Sequence, residues 1–243
     1  MVADAYSLSH SLHLAVVVPT LDDDAALARL LPRLAQLSSP PDRVIVVDGA
    51  SSEATAAICR RSGCEWRAAR PVRGVQLAAG ANEACGTTPQ ADVLWFVHAD
   101  CDPDPRAAQA IRAAIGNGAL GGYFRFRFDG EPSRLKRFLE WWIAWRCRVG
   151  LVYGDQGIFV TRAALDASPG FTAQPLFEEV ALVRFLKRTG RFVALALPMA
   201  VSARRWERDG FVRRTLRNRA LALGFALGVH ARTLARWYRS PRY

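Results

Sequence analysis

Short apolar runs alternate with longer segments of helical periodicity along the first half of this chain. The strand-like runs, rich in β-branched residues, are residues 14–18, 44–47, 65–68 and 93–97. Helical patterns follow them at residues 24–34, from Ser51 or Ser52 onward, at 74–85 and at 103–115, where Pro103 opens the helix and Asp24 and a serine are N-cap candidates. We expect Pro32 to kink or shorten the first helix. Such alternation predicts an α/β fold with a mostly parallel Rossmann-type sheet and helices on both faces.

The pattern changes after residue 120. Aromatic and arginine residues alternate with a period of two at residues 123–128, as in a strand with one buried face. Further strands are predicted at 158–161 and 192–197, and helices at 134–149, 178–189 and 211–238, the last as one long amphipathic helix or a helix pair. We therefore predict an α/β domain over residues 1–200, with halves at about 12–120 and 121–200, and a helical extension over 201–243.

The composition is that of a globular protein, because 51% of the residues are hydrophobic and 23% are charged. The longest apolar run covers residues 220–229, whereas a membrane span needs roughly 20 residues. We find no secretory signal pattern at the N-terminus. The five cysteines form no C-x-x-C pair, which argues against structural zinc and predicts free thiols in a reducing, cytoplasmic compartment.

Carboxylates follow three of the predicted strands. Asp22, Asp48 and Asp100 come just after the first, second and fourth strands, and Asp102 follows two residues later. Parallel strands place these ends at one edge of the sheet, where ligands of such folds bind. The alternative is that each aspartate only caps a turn or a helix. Together, carboxylates at one edge suit Mg²⁺ or Mn²⁺ with substrate phosphates. The chain lacks the glycine-rich motifs of dinucleotide sites and P-loops.

Seven segments together resemble family 2 glycosyltransferases with the GT-A fold, in the same order along nearly the whole chain. They are VVVPT, RVIVVDGASSEAT, RGVQLAAGANEA, DVLWFVHADCD, YGDQGIFVTR, FEEVALVRFLKRTGR and SARRWERDG. The combination of HAD, GDQG and SARRW resembles a small bacterial subgroup associated with arsenosugar-type or other modified-sugar pathways. The resemblance implies a metal-dependent, inverting glycosyltransferase that takes a sugar from a nucleotide-sugar donor, with UDP as the expected nucleotide.

The resemblance also implies a donor site. Its residues would be Pro19, Thr20 and Asp22 around the nucleoside, Asp48 on the base, and Arg73 and Gln76 near the nucleotide or its diphosphate. The metal-binding Asp-x-Asp motif of the family falls on His98-Ala99-Asp100, so Asp100 is the implied ligand of Mn²⁺ or Mg²⁺. His98 replaces the first aspartate. Asp102 restores the Asp-x-Asp spacing as a second candidate ligand, although we favour a helix N-cap for it.

The resemblance places the catalytic base in the acidic pair Glu178-Glu179, at Glu179 or else at Glu178. Such a carboxylate would deprotonate the attacking hydroxyl; alternatively, the pair only adds negative charge to a helix N-terminus. Further residues implied around the acceptor or the diphosphate are Gly154, Asp155, Gln156, Arg204, Arg205 and Trp206. The alternatives are a tight turn for the first three and a structural cation–π cluster for the last three. The acceptor would be a small molecule or a lipid-linked one.

The C-terminal extension is strongly basic. Residues 201–243 carry eleven arginines and two acidic residues, a net charge of +9 out of +11 for the chain. Its arginines flank the apolar run at 220–229, and they include Arg213, Arg214, Arg217, Arg219, Arg232, Arg236 and Arg239. A basic amphipathic helix of this kind can dock on its own domain, lie on the anionic inner face of a membrane, or pair with a second subunit. No nucleic-acid-binding motif accompanies it, so we predict no nucleic-acid partner.

Two other functions compete with a glycosyltransferase. A nucleotidyltransferase would carry a glycine-rich basic phosphate loop after the first strand, where this chain has PTLDDD. A non-catalytic nucleotide-sugar-binding or membrane-surface module could keep the same fold, and His98 and the Glu-Glu pair are reasons to consider it.

Overall fold

The fold is built on one eight-stranded sheet. In this computed structural model, which describes residues 12–148 and 151–238, the strands are β1 (Leu14–Thr20), β2 (Arg43–Asp48), β3 (Glu65–Ala68), β4 (Val93–Phe96), β5 (Cys101–Pro103), β6 (Gly121–Phe128), β7 (Phe159–Thr161) and β8 (Phe192–Val201). Their spatial order is β3-β2-β1-β4-β7-β6-β8-β5. The first four strands are parallel, and β6 is parallel to β8, whereas β7 and β5 run antiparallel to their neighbours. The predicted mostly parallel α/β fold is confirmed.

Ten helices connect or follow the strands of the described chain. They are α1 (Asp24–Ala35), α2 (Glu53–Ser62), α3 (Arg73–Gly86), α4 (Ala107–Gly116), α5 (Arg134–Arg148), α6 (Arg162–Asp166), α7 (Val180–Thr189), α8 (Arg204–Asp209), α9 (Phe211–Ala226) and α10 (Ala231–Tyr238), with a 3₁₀ turn at Gly154–Gln156. Helix α1 is not shortened at Pro32, since it continues to Ala35, and Asp23 rather than Asp24 occupies its N-cap. The cap of α2 is Ser52, whose hydroxyl accepts hydrogen bonds from the Ala54 and Thr55 amides.

Strand β1 shows why helices cover both faces of the sheet. Its seven residues are all buried, and successive side chains of a strand point to opposite faces. Val16 and Val18 pack into a hydrophobic cluster with α1, while Ala15 and Val17 pack into a second cluster with α3 and α7. A strand buried on both faces reads as a continuous apolar run, which is the pattern in the sequence.

One predicted helix begins later than expected. Residues 101–103 form strand β5, which pairs antiparallel with β8, and α4 starts only at Ala107. Asp102 is therefore not a helix N-cap, and that interpretation was wrong. The Asp104 carboxylate instead accepts a hydrogen bond from the Arg106 amide just before the helix. Pairing with β8 satisfies the backbone hydrogen-bonding groups of residues 101–103, so Pro103 belongs to a strand and not to the first turn of a helix.

The C-terminal extension is a helix pair that packs against the rest of the chain. Helices α9 and α10 are separated at residues 227–230, where Gly228 has a φ of +88°. The Phe225 ring stacks on Phe177, with centroids 4.6 Å apart, and the Arg219 guanidinium lies 4.4 Å from the Trp142 ring centroid. These contacts agree with docking on the chain's own body. Arg239 lies outside the described residues, and the division of the chain at residue 200 stays a prediction.

No helix among the described residues is long and apolar enough to cross a membrane.

Candidate active site

The carboxyl ends of β1, β2 and β4 lie at one edge of the sheet because the three strands are parallel. Thr20 and Asp48 are register partners there. Asp48 is fully buried, and its two carboxylate oxygens accept hydrogen bonds from the Ala50 and Ser52 amides at 2.9 and 2.7 Å. The Asp48 side chain therefore shapes the turn into α2, as the turn-capping alternative predicts.

Gln76 holds the ends of β1 and β2 together. Its buried amide nitrogen donates to the carbonyl oxygens of Thr20 and Val47, at 2.7 and 2.9 Å. The Thr20 hydroxyl is buried and has no hydrogen-bond partner in the described chain. Pro19 is buried in β1, and the exposed Asp22 has a φ of +50°. These predicted nucleotide-binding residues share one edge of the sheet, but none of them lines the large cleft described next.

A cleft of about 510 Å³ opens beside this edge, between the sheet, α5 and α9. It brings together predicted site residues from five separate parts of the sequence. They are Arg73, His98, Asp100, Gly154, Asp155, Glu178, Glu179, Arg205 and Trp206. Residues 73 and 205 are more than 130 positions apart, so only the folded chain places them around one space. Of the strand-end aspartates predicted to converge, only Asp100 lines this cleft, whereas Asp48 binds the turn into α2. The other carboxylates of the cleft are Asp155 and the glutamate pair, which the family resemblance implied.

His98 is packed against the backbone of Gly154. A Cβ atom built on Gly154 would lie 3.0 Å from His98 Nε2, so the glycine allows the imidazole to approach this closely. Burial, and then the charges of Arg73 and Arg205, lower the pKa of His98 well below its ordinary value. The imidazole is therefore neutral, which is the form that accepts a hydrogen bond or binds a metal.

Asp100 and Asp155 are the two aspartates of the cleft, and they suit a divalent cation. Asp155 Oδ1 is buried without a hydrogen-bond partner in the part of the chain that the structure describes. Burial raises the pKa of Asp155, and the negative charge of Asp100 raises it further. A cation would neutralise both charges and use the unpartnered oxygen. Within residues 12–148 and 151–238, no three His, Cys, Asp or Glu side chains form a ready-made metal cluster, so phosphate oxygens would have to complete the shell.

Glu178 and Glu179 lie at the floor of the cleft, just before α7. Their side chains are 2% and 5% exposed. Arg73 Nε is 3.6 Å from Glu178 Oε1, and the Gly154 amide donates to Glu179 Oε1 at 3.1 Å. Burial, together with the charge of Glu178, raises the pKa of Glu179 to about 8. Glu179 is the N-cap of α7, where a negative charge is favourable, but within the described chain its side chain makes no cap hydrogen bond and accepts from the Gly154 amide instead.

The backbone just before this pair is strained. Phe177 has a φ of +61°, a left-handed conformation that is uncommon for a bulky residue. Its ring is held between Tyr153, at a centroid distance of 5.6 Å, and Phe225 of α9, at 4.6 Å. Strain of this kind persists only where the surroundings enforce it. Through Phe225, α9 therefore helps to fix the backbone conformation that positions Glu178 and Glu179.

Three other predicted site residues lie outside the cleft. Asp102 is on β5 with its carboxylate 3.7 Å from Arg33 Nε, so it is not brought together with Asp100. Arg204 lies 3.6 Å from Asp23. Gln156 is 1% exposed, and its amide nitrogen donates to the Phe124 carbonyl oxygen, which is a structural role.

Trp206 lines the cleft but also belongs to an aromatic cluster. Its ring meets Phe128 edge-on at 5.1 Å, and the Arg214 guanidinium lies 4.9 Å above it. The structural cation–π alternative therefore describes Trp206 well. Arg146, which sequence reasoning missed, lines the cleft with its guanidinium 4.2 Å from the Tyr153 ring centroid. The available signal was its place beside Trp142 and Trp145 in the helix predicted at residues 134–149, but helical periodicity alone does not say which face meets a ligand.

Comparison with protein-family models matches residues 15–161 to Glycosyl transferase family 2. The matched region is more than half of the chain, and it contains the sheet edge and, of the cleft carboxylates, Asp100 and Asp155. The chain therefore belongs to glycosyltransferase family 2, and its fold is of the GT-A type. It is a glycosyltransferase that uses a nucleotide-sugar donor, which decides against the nucleotidyltransferase alternative. A search of curated proteins finds no match.

Solved structures share the fold at low sequence identity. Glucosyl-3-phosphoglycerate synthase from Mycobacterium tuberculosis, in complex with Mn²⁺, UDP and phosphoglyceric acid, is 20% identical with a TM-score of 0.61, covering 90% of this chain and 80% of that one. The same enzyme with Mn²⁺, UDP and glucosyl-3-phosphoglycerate has a TM-score of 0.58 at 20% identity, covering 78% and 72%. The match to the arsenosugar-associated subgroup stays a prediction.

Proposed function

We propose that this protein transfers a sugar, with inversion, from a UDP-sugar to a hydroxyl group of an acceptor, and that the reaction depends on Mn²⁺ or Mg²⁺. The observation that carries the proposal is the placement of Glu179. Its buried carboxylate is held by the Gly154 amide in the same cleft as Asp100 and Asp155. A base and a candidate cation site therefore border one space in which donor and acceptor can meet.

In the proposed reaction, Glu179 is the general base. The acceptor oxygen forms a bond to the anomeric carbon, its proton passes to a Glu179 carboxylate oxygen, and the bond to the diphosphate breaks with its electron pair leaving on UDP. The Gly154 hydrogen bond fixes one carboxylate oxygen and leaves the other for the hydroxyl. Arg73 lies beside Glu178, so its positive charge offsets part of the negative charge near the base.

Asp100 and Asp155 would hold the cation. When bound, the cation would supply positive charge to the departing diphosphate. The neutral His98 stands beside Gly154 and can donate or accept one hydrogen bond at the same place. The similar enzyme from Mycobacterium tuberculosis was crystallised with Mn²⁺ and UDP, which supports the choice of cation and nucleotide here.

The nucleoside would lie over the ends of β1 and β2. Within the described chain, the Thr20 hydroxyl at that edge is buried and has no hydrogen-bond partner. Asp48 and Gln76 would support the pocket from beneath, because their polar atoms are bound to backbone groups. Cytoplasmic location, association with the inner face of a membrane, and dimerisation through the C-terminal helices stay predictions.

The decisive experiment separates donor binding from chemistry. We expect UDP to raise the melting temperature only with Mn²⁺ or Mg²⁺, and Asp100→Asn to abolish that cation dependence. Glu179→Gln should keep the stabilisation by UDP and lose transfer, by roughly 10²–10⁴-fold. Full transfer by the Glu179→Gln variant would show that another group is the base.

A further inference from the structure

The cleft is not uniformly polar. The carboxylates occupy one side, whereas the walls made by α5 and α9 are largely apolar. The large apolar residues that line the cleft from these two helices are Leu139, Trp142, Ile143, Trp145, Leu221 and Leu223. A hydrophilic acceptor would leave these walls in contact with water or with sugar hydroxyls. Its binding would then gain little free energy from burial of apolar surface.

The apolar wall continues to the opening of the cleft. Trp145, Leu151 and Leu223 line the cleft and are nevertheless 46%, 45% and 62% exposed, so they border its mouth. Large apolar side chains left in water at the rim of a concave site indicate a ligand that covers them.

Positive charge accompanies this apolar wall. Arg205 and Arg219 both line the cleft, and no carboxylate of the described residues forms an ion pair with either guanidinium. Arg219 instead lies over the Trp142 ring. Arg205 is placed near His98, whose pKa it lowers, and therefore beside the proposed donor. Arg219 stands on the opposite, helical side, where an anionic group of the acceptor would complement it.

We propose that the acceptor is an anionic amphiphile: its hydroxyl meets Glu179, its apolar chain lies between α5 and α9, and its anionic group meets Arg219. This inference rests on the proposed transfer reaction and names its acceptor class. The chemistry is the same transfer of sugar to oxygen, with the proton passing to Glu179. Burying each further methylene of the chain should tighten binding about fourfold until the cleft is filled.

The test is a titration of the full chain, loaded with UDP and Mn²⁺, by calorimetry. The probe is 1-acyl-glycerol 3-phosphate with acyl chains of increasing length, kept below micelle formation. Glycerol 3-phosphate provides the head without the chain, and alkyl glucosides of matched length provide the chain with a neutral head. We expect affinity to rise with chain length, the neutral series to bind more weakly, and the anionic amphiphile to accelerate UDP release from the UDP-sugar.

Two matched pairs of variants locate the binding. Trp145→Gln and Leu223→Gln change exposed residues that line the cleft, and each should weaken binding by about tenfold. Trp141→Gln and Leu216→Gln are their controls on the same helices, at 59% and 60% exposure, and neither residue lines the cleft. The controls should bind the probe as the unmodified protein does.

Several results would overturn the proposal. Affinity independent of chain length would point to a small phosphorylated acceptor. Equal losses in the control variants would indicate adsorption to a lipid surface, and a change of oligomeric state by light scattering would indicate that a second copy covers the wall. Binding without faster UDP release would deny the acceptor role. Stabilisation by UDP and Mn²⁺, measured on the same samples, reports separately whether the proposed donor site fails.

Discussion

Replacing Glu179 by glutamine should change how the stability of the protein depends on pH. The carboxylate is 5% exposed and lies beside Glu178, and its pKa is raised to about 8 from an ordinary value of 4.5. The folded protein therefore holds this proton more tightly than the unfolded chain does. The associated stability is fully present below about pH 4.5 and is lost as the pH rises toward 8.

The size of this effect follows from the pKa. A difference of one in pKa corresponds to about 1.4 kcal/mol, so the full loss is up to about 5 kcal/mol, of which about 3 kcal/mol falls between pH 6 and pH 9. Glutamine is neutral at every pH and its amide oxygen can still accept the hydrogen bond from Gly154. We therefore expect the Glu179→Gln variant to be more stable than the unmodified protein at pH 9 and to lose this part of the pH dependence.

Urea unfolding at pH 6 and pH 9 measures both free energies of unfolding for each protein. Glu131→Gln, which removes an exposed carboxylate, is the control for the general change in charge. Comparing the two proteins at each pH cancels the titration of the groups that do not interact with Glu179. If the unmodified protein and the Glu179→Gln variant lose the same stability between the two pH values, the carboxylate is not held in a buried, like-charged environment.

Further consequences concern the groups around the base. Gly154→Ala puts a Cβ 3.0 Å from His98 Nε2 and displaces the amide that holds Glu179; steady-state kinetics should show kcat reduced by roughly 10–100-fold, with the KM for donor little changed. Phe225→Ala removes the ring that stacks on Phe177; it should cost about 1–2 kcal/mol of stability in urea unfolding and lower kcat, whereas unchanged kcat would deny that α9 positions the glutamates. Gly74→Ala places a Cβ 1.8 Å from the Thr172 carbonyl oxygen and should destabilise by about 3 kcal/mol or more, while Gly86→Ala, with open space around it, should not destabilise in the same assay.

The strands of the parallel half could be predicted because burial on both faces leaves a direct trace in the sequence. The runs at residues 14–18, 44–47 and 93–97, within or overlapping β1, β2 and β4, are unbroken and apolar, and polar residues come soon after each of them. Strand β5 leaves no such trace. It has three residues, too few to show a period, and it exists because β8 pairs with it almost a hundred positions later. The misplaced start of α4 and the N-cap assigned to Asp102 both follow from that missing long-range information.

The candidate site was predictable as a set of positions but not as a set of roles. The sequence placed Asp100 at the end of a strand and, through the family resemblance, added Asp155 and the glutamate pair, all of which line the cleft. It could not show that Gln76 holds two strand ends together or that Asp102 pairs with Arg33, since those directions depend on side-chain packing. The left-handed backbone at Phe177 is enforced by rings from distant segments. A local sequence pattern does not show that distant residues impose this backbone conformation.

The basic extension shows how net charge can mislead about a partner. Part of its charge is directed at the chain itself: Arg214 is 4% exposed and pairs with Asp209, and Arg217 pairs with the same carboxylate. These ion pairs join α9 to the end of α8, and the Arg219 guanidinium over the Trp142 ring joins α9 to α5. The apolar wall of the cleft is made by α5 and α9. Arg213 on α9 and Arg232 and Arg236 on α10 are exposed and would draw an anionic amphiphile toward the wall over a range of about 8–10 Å at moderate salt. Helix α9 would then both position the glutamate pair through Phe225 and contact the acceptor, so that the extension completes the catalytic cleft.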